Sequence, residues 1–163
     1  MADGLERSGA TARLAAFAVS TPGDEIPAAV LATMRICLLY WFGNAVFAAQ
    51  HADNAPSVRR GIAAFAGAEP GPHTVAGEPG GRSLPAALLL NGTYGHSLDF
   101  DDTNLFGKIH PGVTVIPAAL AEAERTRCSG GDLLAAIALG YEVACRVGAA
   151  LGEGTYTRGF HPT

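Results

Sequence analysis

Apolar residues dominate long stretches of this chain and recur at helical spacing, with clusters of Gly, Pro, Asp and Asn breaking them into segments. Residues 11–20 read as a short first helix, and the Pro22-Gly23 turn separates it from a long helix that starts near Asp24. The Asp53-Asn-Ala-Pro56 turn closes that element, and residues 57–67 form a shorter amphipathic helix. Residues 69–82, rich in Gly and Pro, read as a loop with a brief extended piece at 73–76. Ser83 stands where a cap is needed for a helix with Pro85 in its first turn, which runs through Leu88, Leu89 and Leu90 toward an acidic cluster. Pro111 opens another helix to about Arg125. Ser129-Gly-Gly-Asp132 has the spacing of a capping box, with Asp in place of Glu, and starts a helix to about Gly152. Alternating β-branched runs never exceed a few residues, so the fold class is all-α: one bundle-like helical domain over residues 1–163. Small residues at Ala135, Ala136, Gly140 and Ala144 allow its helices to approach closely.

Residues 28–49 are apolar enough to suggest a membrane span, but Arg35 lies among them. An Arg at a bilayer centre costs about 2.5–3.5 kcal/mol. With Gly43 and Asn44 also present, the segment reads as the buried central helix of a soluble core.

The 163 residues suffice for one domain with a real core, and the apolar share of 48% is ordinary. The charged share is 16%, against about 25% in typical globular chains, so much of the outside is expected to pack against something else. A homodimer, or a partner chain that completes the fold, is the expected arrangement. The net charge of −4 with scattered Lys and Arg gives no basic stripe, so no nucleic-acid partner is expected. Nor is a membrane partner expected. Cys37, Cys128 and Cys145 are odd in number and lack CxxC spacing, and they read as buried thiols in a reducing compartment. Residues 1–6 carry acid where a signal peptide carries base, and the expected location is cytoplasmic.

In this charge-poor chain, one stretch concentrates chemistry. Asn91, His96, Asp99, Asp101, Asp102 and Thr103 lie within about a helix and a turn, followed by Lys108 and then His110-Pro111-Gly112. If the helix from Ser83 continues to Thr103, then His96, Asp99 and Thr103 share one face, and Asp102 lies three beyond Asp99. Asp101 then points elsewhere, toward solvent. His110 precedes a proline, is pushed toward extended geometry and stands at a helix entrance, where free N–H groups and the positive dipole end favour an anion. The arrangement recurs at Phe160-His161-Pro162-Thr163. Two imidazoles at helix starts beside a carboxylate make a site for an anionic substrate, with Asp99 orienting an imidazole or taking a proton itself. Lys108 is a surface charge that can attract the anion. Taken singly, each feature has a plainer account: a local His–Asp hydrogen bond, a solvated helix end, a threonine cap. Their combination does not. Tyr141 and Tyr156 read as packing residues, and His51 and His73 receive no role.

The spaced pattern Asn91-Gly-x-x-x-His96-x-x-Asp99-Phe-Asp101-Asp102-Thr103, then His110-Pro111, then Gly159-Phe-His161-Pro-Thr163, resembles the MmgE/PrpD family. That family includes 2-methylcitrate dehydratase, cis-aconitate decarboxylase and iminodisuccinate epimerase. The resemblance runs from the first helix to the last residue. It implies the family's large all-α domain and metal-free proton transfer next to a carboxylate of a small polycarboxylic acid, with no cofactor. By the same carry-over Asp99, His110 and His161 are catalytic positions and Thr103 binds substrate; His96, which with Asp101 and Asp102 belongs to the motif, and Lys108 are the further substrate-binding candidates. The implied class is a lyase, a dehydratase such as 2-methylcitrate dehydratase or a decarboxylase, with an epimerase as the alternative. Family members continue past the Gly-Phe-His-Pro-Thr segment into further helices and a smaller lid domain, so this chain corresponds to the N-terminal part, with the lid expected elsewhere. Two other classes fit the residues: a metal-dependent helical enzyme, with an Asp-rich magnesium site or zinc on His96, Asp99 and His110, and a non-catalytic helical module.

Overall fold

The computed structural model describes residues 9–161 and 163 of the chain. The reading of residues 1–6 and Pro162 of the last motif lie outside the described residues. The helices are α1 (Ala10–Ser20), α2 (Ala28–His51), α3 (Ala55–Ala66), α4 (Leu84–His96), α5 (Gly112–Thr126), α6 (Gly130–Leu151) and α7 (Gly154–Thr157), with a 3-10 turn at Gly23–Glu25 before α2. Between α3 and α4 lie two short antiparallel strands, β1 (Pro70–Thr74) and β2 (Gly81–Arg82). The mostly helical expectation holds, and its element boundaries hold to within a few residues except at the end of α4. The long helix starts at Ala28 rather than near Asp24, because the chain turns through Gly23–Glu25 and Pro27 supplies the cap position.

Helix α4 is the centre of the packing, with α2, α3 and α5 against it; α6 closes the far side against α2 and α5. The core between them holds Trp41, Ala45 and Ala48 from α2, Leu90 and Tyr94 from α4, Ile116 from α5 and Ile137 from α6. Alanine dominates the α2 share, which brings the helix axes close and leaves the volume to a few large side chains. Gly140 serves the same end on α6, since a Cβ there would stand 2.5 Å from Val115 Cγ1. Gly95 on α4 lies directly on the indole of Trp41, with no room for a methyl group. At the start of α6 the capping box forms as expected: Ser129 Oγ accepts from Asp132 N at 3.1 Å, and Asp132 Oδ2 accepts from Ser129 N at 3.1 Å.

Two expectations are corrected here. Helix α2 is not buried all round. Its buried stripe is Met34, Trp41, Ala45, Ala48 and Ala49, while Ile36, Leu39 and Phe42 stand at least half exposed, and Arg35 lies on that exposed side. The cause is that α2 packs against its neighbours along one side only, so the apolar composition exceeds what this packing covers. Helices α2 and α6 are both long and apolar enough to cross a membrane by length and composition. The three cysteines are free thiols as expected, but not buried: Cys128 is exposed, and Cys37 and Cys145 are half-buried.

The Gly-rich segment is more ordered than a loop, and the acidic motif's first residue explains why. Asn91 Oδ1 accepts from Ala76 N at 2.9 Å, and Asn91 Nδ2 donates to Thr74 O at 2.8 Å, so one buried side chain on α4 clasps the hairpin. Tyr94 Oη donates to Glu78 Oε1 at 2.6 Å and accepts from Arg59 Nη1 at 3.2 Å, tying the same hairpin to α3. Burial together with the neighbouring Glu78 carboxylate pushes the Tyr94 hydroxyl up to about 12, so it stays protonated and donating. Asn91 is therefore a structural member of the motif. Substituting Gly95→Ala, which drives a methyl group into the Trp41 indole, is expected to destabilise the protein by about 1–3 kcal/mol, read as a lowered urea midpoint at unchanged slope.

Candidate functional site

Helix α4 ends at His96, and Asp99 has φ of 55°. That left-handed residue turns the chain out of the helix, and Asp tolerates the region better than most side chains. A continuous helical face from His96 to Thr103 therefore does not exist, and the placement of the acids changes with it. Asp101, expected to point to solvent, is the buried one, with 1% of its side chain exposed. The loop carries its carboxylate back beneath the end of α4. Asp101 Oδ2 lies 2.9 Å from His96 Nδ1 and 3.1 Å from His110 Nδ1. A carboxylate accepts, so both imidazoles present Nδ1–H to it and leave Nε2 available to a ligand or proton.

His110 comes from the other side of the same loop. A bridge in which Asn104 and Ile109 exchange backbone hydrogen bonds, at 2.8 and 3.3 Å, folds residues 104–109 into a tight excursion. Lys108 within it also has positive φ, 51°. His110 and Pro111 then enter α5, which begins at Gly112. Thr103 Oγ1 lies 3.4 Å from His110 Nδ1, beside the carboxylate. Asp99 is exposed, yet it offers an oxygen that lies within 4.8 Å of the ligand atoms of His96, Asp101 and His110. These four residues are the group in the described chain that could hold a metal ion.

The C-terminal segment returns to the same place. The His161 ring centroid is 5.5 Å from that of His110 and 6.2 Å from that of His96, and the His96 and His110 centroids are 4.9 Å apart. Thr163 Oγ1 accepts from His110 N at 2.9 Å. Tyr156, read as packing, is exposed and its Oη lies 3.0 Å from His161 Nε2. Lys108 Nζ pairs with Glu153 Oε1 at 2.7 Å and sits 5.8 Å above the Tyr156 ring, so its charge is spent on that carboxylate and not on the imidazoles. The structure thus gathers His96, Asp99, Thr103, His110 and His161 and adds Asp101, Tyr156 and Thr163. A groove of about 760 Å³ between α4 and α5 opens beside His96 and Thr163.

Asp102 faces away from the imidazoles. Its Oδ1 accepts from Tyr141 Oη at 3.2 Å. Burial raises its carboxyl above the ordinary value, against the lowering influence of the Tyr141 hydroxyl and nearby backbone amides, Gly112 among them. Tyr141 is raised in turn by burial and by the Asp102 charge, and Cys37, which adjoins the Tyr141 hydroxyl, is raised by burial and by the same charge.

Comparison with known proteins places this arrangement. Residues 12–163 match the MmgE/PrpD N-terminal domain. The chain belongs to the MmgE/PrpD family. Over 84 residues it is 33% identical to a protein of Aspergillus oryzae (strain ATCC 42149 / RIB 40) called cis-aconitate decarboxylase-like protein oryM, a stretch that covers 47% of this chain and 17% of that protein. The match therefore spans about a sixth of the length of that relative. No solved structure matches the chain. Of the MmgE/PrpD pattern identified in the sequence, His96, Asp99, Asp101, Thr103, His110 and His161 meet at the end of α4 and the start of α5, while Asn91 and Asp102 face elsewhere. Asp101, expected to face solvent, and Tyr156, expected to pack, are the two residues whose place at the cluster differs from the sequence reading. The signal for Asp101 was available only as its position between two histidines of the motif.

Two outcomes follow from this geometry. Asp101→Ala leaves two imidazole N–H groups facing a void and is expected to lower stability by about 2–5 kcal/mol in urea unfolding. For Asp102 the native value is raised, so between the ordinary carboxyl value and the native one the folded state binds more protons than the unfolded. The unfavourable contribution of its charge is complete above the native value and vanishes as pH falls below the ordinary one. Relative to Asp102→Asn, the parent protein is thus expected to gain stability as pH falls from 7 toward 4. Urea midpoints across that range measure it, and a constant difference between the two proteins contradicts it.

Proposed function

We propose that this chain carries the proton-handling half of a lyase active site that acts on a small polycarboxylic acid, by removal of a proton next to a carboxylate without a metal. The observation that carries the reading is the convergence of His96, His110 and His161 on one another with a buried carboxylate behind two of them. Imidazoles backed by a carboxylate hold anionic groups and move protons near neutral pH. His110 and Thr103, at the entrance of α5, hold a substrate carboxylate where the helix dipole favours negative charge. His161 and Asp99 are the exposed groups at the mouth of the cluster and serve as proton acceptor and donor. Lys108, paired with Glu153, flanks the approach. Water or carbon dioxide leaves, or the carbon is reprotonated on the other face. Family membership supports the reaction class, and the name of the Aspergillus relative favours decarboxylation over dehydration. A homodimer or a further part of the protein completes the site and covers the exposed face of α2, and the protein works in the cytoplasm.

One observation favours a second reading. The ligand atoms of His96, Asp99, Asp101 and His110 lie close enough together for a divalent metal, which would polarise the same substrate carboxylate. Assays on aconitate-like and citrate-like acids separate the two. Asp101→Asn and His161→Gln are each expected to lower turnover by about 10²–10⁴-fold, while a chelator leaves the parent rate unchanged. Loss of activity on chelation, restored by added zinc, supports the metal reading. Unchanged turnover in both His161→Gln and Asp99→Asn removes the assignment.

A further inference from the structure

The buried contact between Tyr141 and Asp102 lies behind the imidazole cluster, and packing alone does not account for it. Phenylalanine would fill the same space on α6 with no hydroxyl to satisfy. The Tyr141 Oη instead donates to Asp102 Oδ1 at 3.2 Å, joining α6 to the loop that carries the motif. Gly112, the first residue of α5, closes the arrangement from the third side. A Cβ there would collide with Asp102 Oδ1 and stand 2.6 Å from Tyr141 Oη, so the start of α5 can approach only because the residue is glycine. A partly buried carboxylate against the first turn of a helix is also held by the helix dipole.

Asp102 follows Asp101 directly. Across one planar peptide unit, holding either residue limits the path of the other to the few φ and ψ that remain. One carboxylate thus faces inward to Tyr141 and the head of α5, and its neighbour faces the two imidazoles. On the other side of the loop, His110 lies two residues before Gly112, so the same contact sets both the acceptor and one of its donors. We propose that Tyr141 and Asp102 are positioning residues: they lock the 97–111 loop onto α5 and α6 so that Asp101 meets the Nδ1 atoms of His96 and His110 together. This rests on the imidazole cluster being the reaction centre, and it assigns no contact with substrate to either residue.

The test has two arms, of which only one needs a substrate. In the first, nitrogen-15 spectra of the histidine rings report the Nδ1–H bonds to Asp101. In the parent protein, His96 and His110 are expected to show hydrogen-bonded Nδ1–H signals. Tyr141→Phe keeps the ring and removes only the hydroxyl, and is expected to broaden or shift both signals. Asp102→Ala does the same, whereas Asp102→Asn, which keeps an oxygen for the Tyr141 hydroxyl, retains them. In the second arm Tyr141→Phe is expected to lower kcat about 10-fold or more with KM within about twofold, with Asp102→Asn near the parent and Asp102→Ala below Tyr141→Phe. Tyr40→Phe, at an exposed tyrosine on α2, leaves both readouts unchanged. Ring signals in Tyr141→Phe and Asp102→Ala identical to the parent overturn the proposal. So does a fall in kcat matched by equal losses in Asp102→Asn and Tyr40→Phe, which marks general destabilisation. If the parent, assayed together with the part of the protein that completes the site, turns over none of these acids, the functional reading falls, and the ring signals still decide whether these residues position the cluster.

Discussion

The site is organised around one constraint: a carboxylate almost wholly withdrawn from water needs donors on every available side, and Asp101 finds two of them in His96 and His110. Those imidazoles come from the last residue of α4 and the approach to α5, so satisfying the carboxylate fixes how the two helices meet. The intervening loop accepts left-handed backbone at Asp99 and Lys108 to make the meeting possible. Strain of this kind persists where the surroundings over-determine it, and here they do. Asn104 and Ile109 pair across the loop, Asp102 is held by Tyr141, and Thr163 accepts from the His110 amide.

The rest of the chain can be read as support for that junction. Alanine-rich α2 lets α4 and α6 approach closely, and the Trp41 indole occupies the space that Gly95 leaves one residue before His96. Asn91 and Tyr94, on the same helix as His96, hold the β1–β2 hairpin against α4. A single helix therefore carries structural polar residues along its length and a chemical one at its end. The apolar surface left on α2 and the exposed Phe106 and Phe160 flanking the cluster show that this part of the MmgE/PrpD fold does not cover all its own apolar area.

Legibility from sequence followed the range of the forces involved. The helices, their capping box and the Gly-rich break are local matters of periodicity, capping and turn chemistry, and they were readable to within a few residues. The family motif was readable as a pattern, and its histidines and Asp99 do converge. The reading failed where a local rule was extended too far. Continuing α4 to Thr103 put His96 and Asp99 on one face and sent Asp101 to solvent, whereas termination at His96 exchanged the environments of the two acids.

The sequence by itself determined that this is a mostly helical chain with a dense imidazole and carboxylate motif of the MmgE/PrpD type, because periodicity and motif spacing are properties of neighbours along the chain. Which carboxylate is buried, which polar partners Tyr141 and Tyr156 meet, and which face of α2 stays open were decided only in the tertiary structure. Burial and hydrogen-bond partnership arise between segments far apart in sequence, and a turn of one residue at the end of α4 is enough to exchange them.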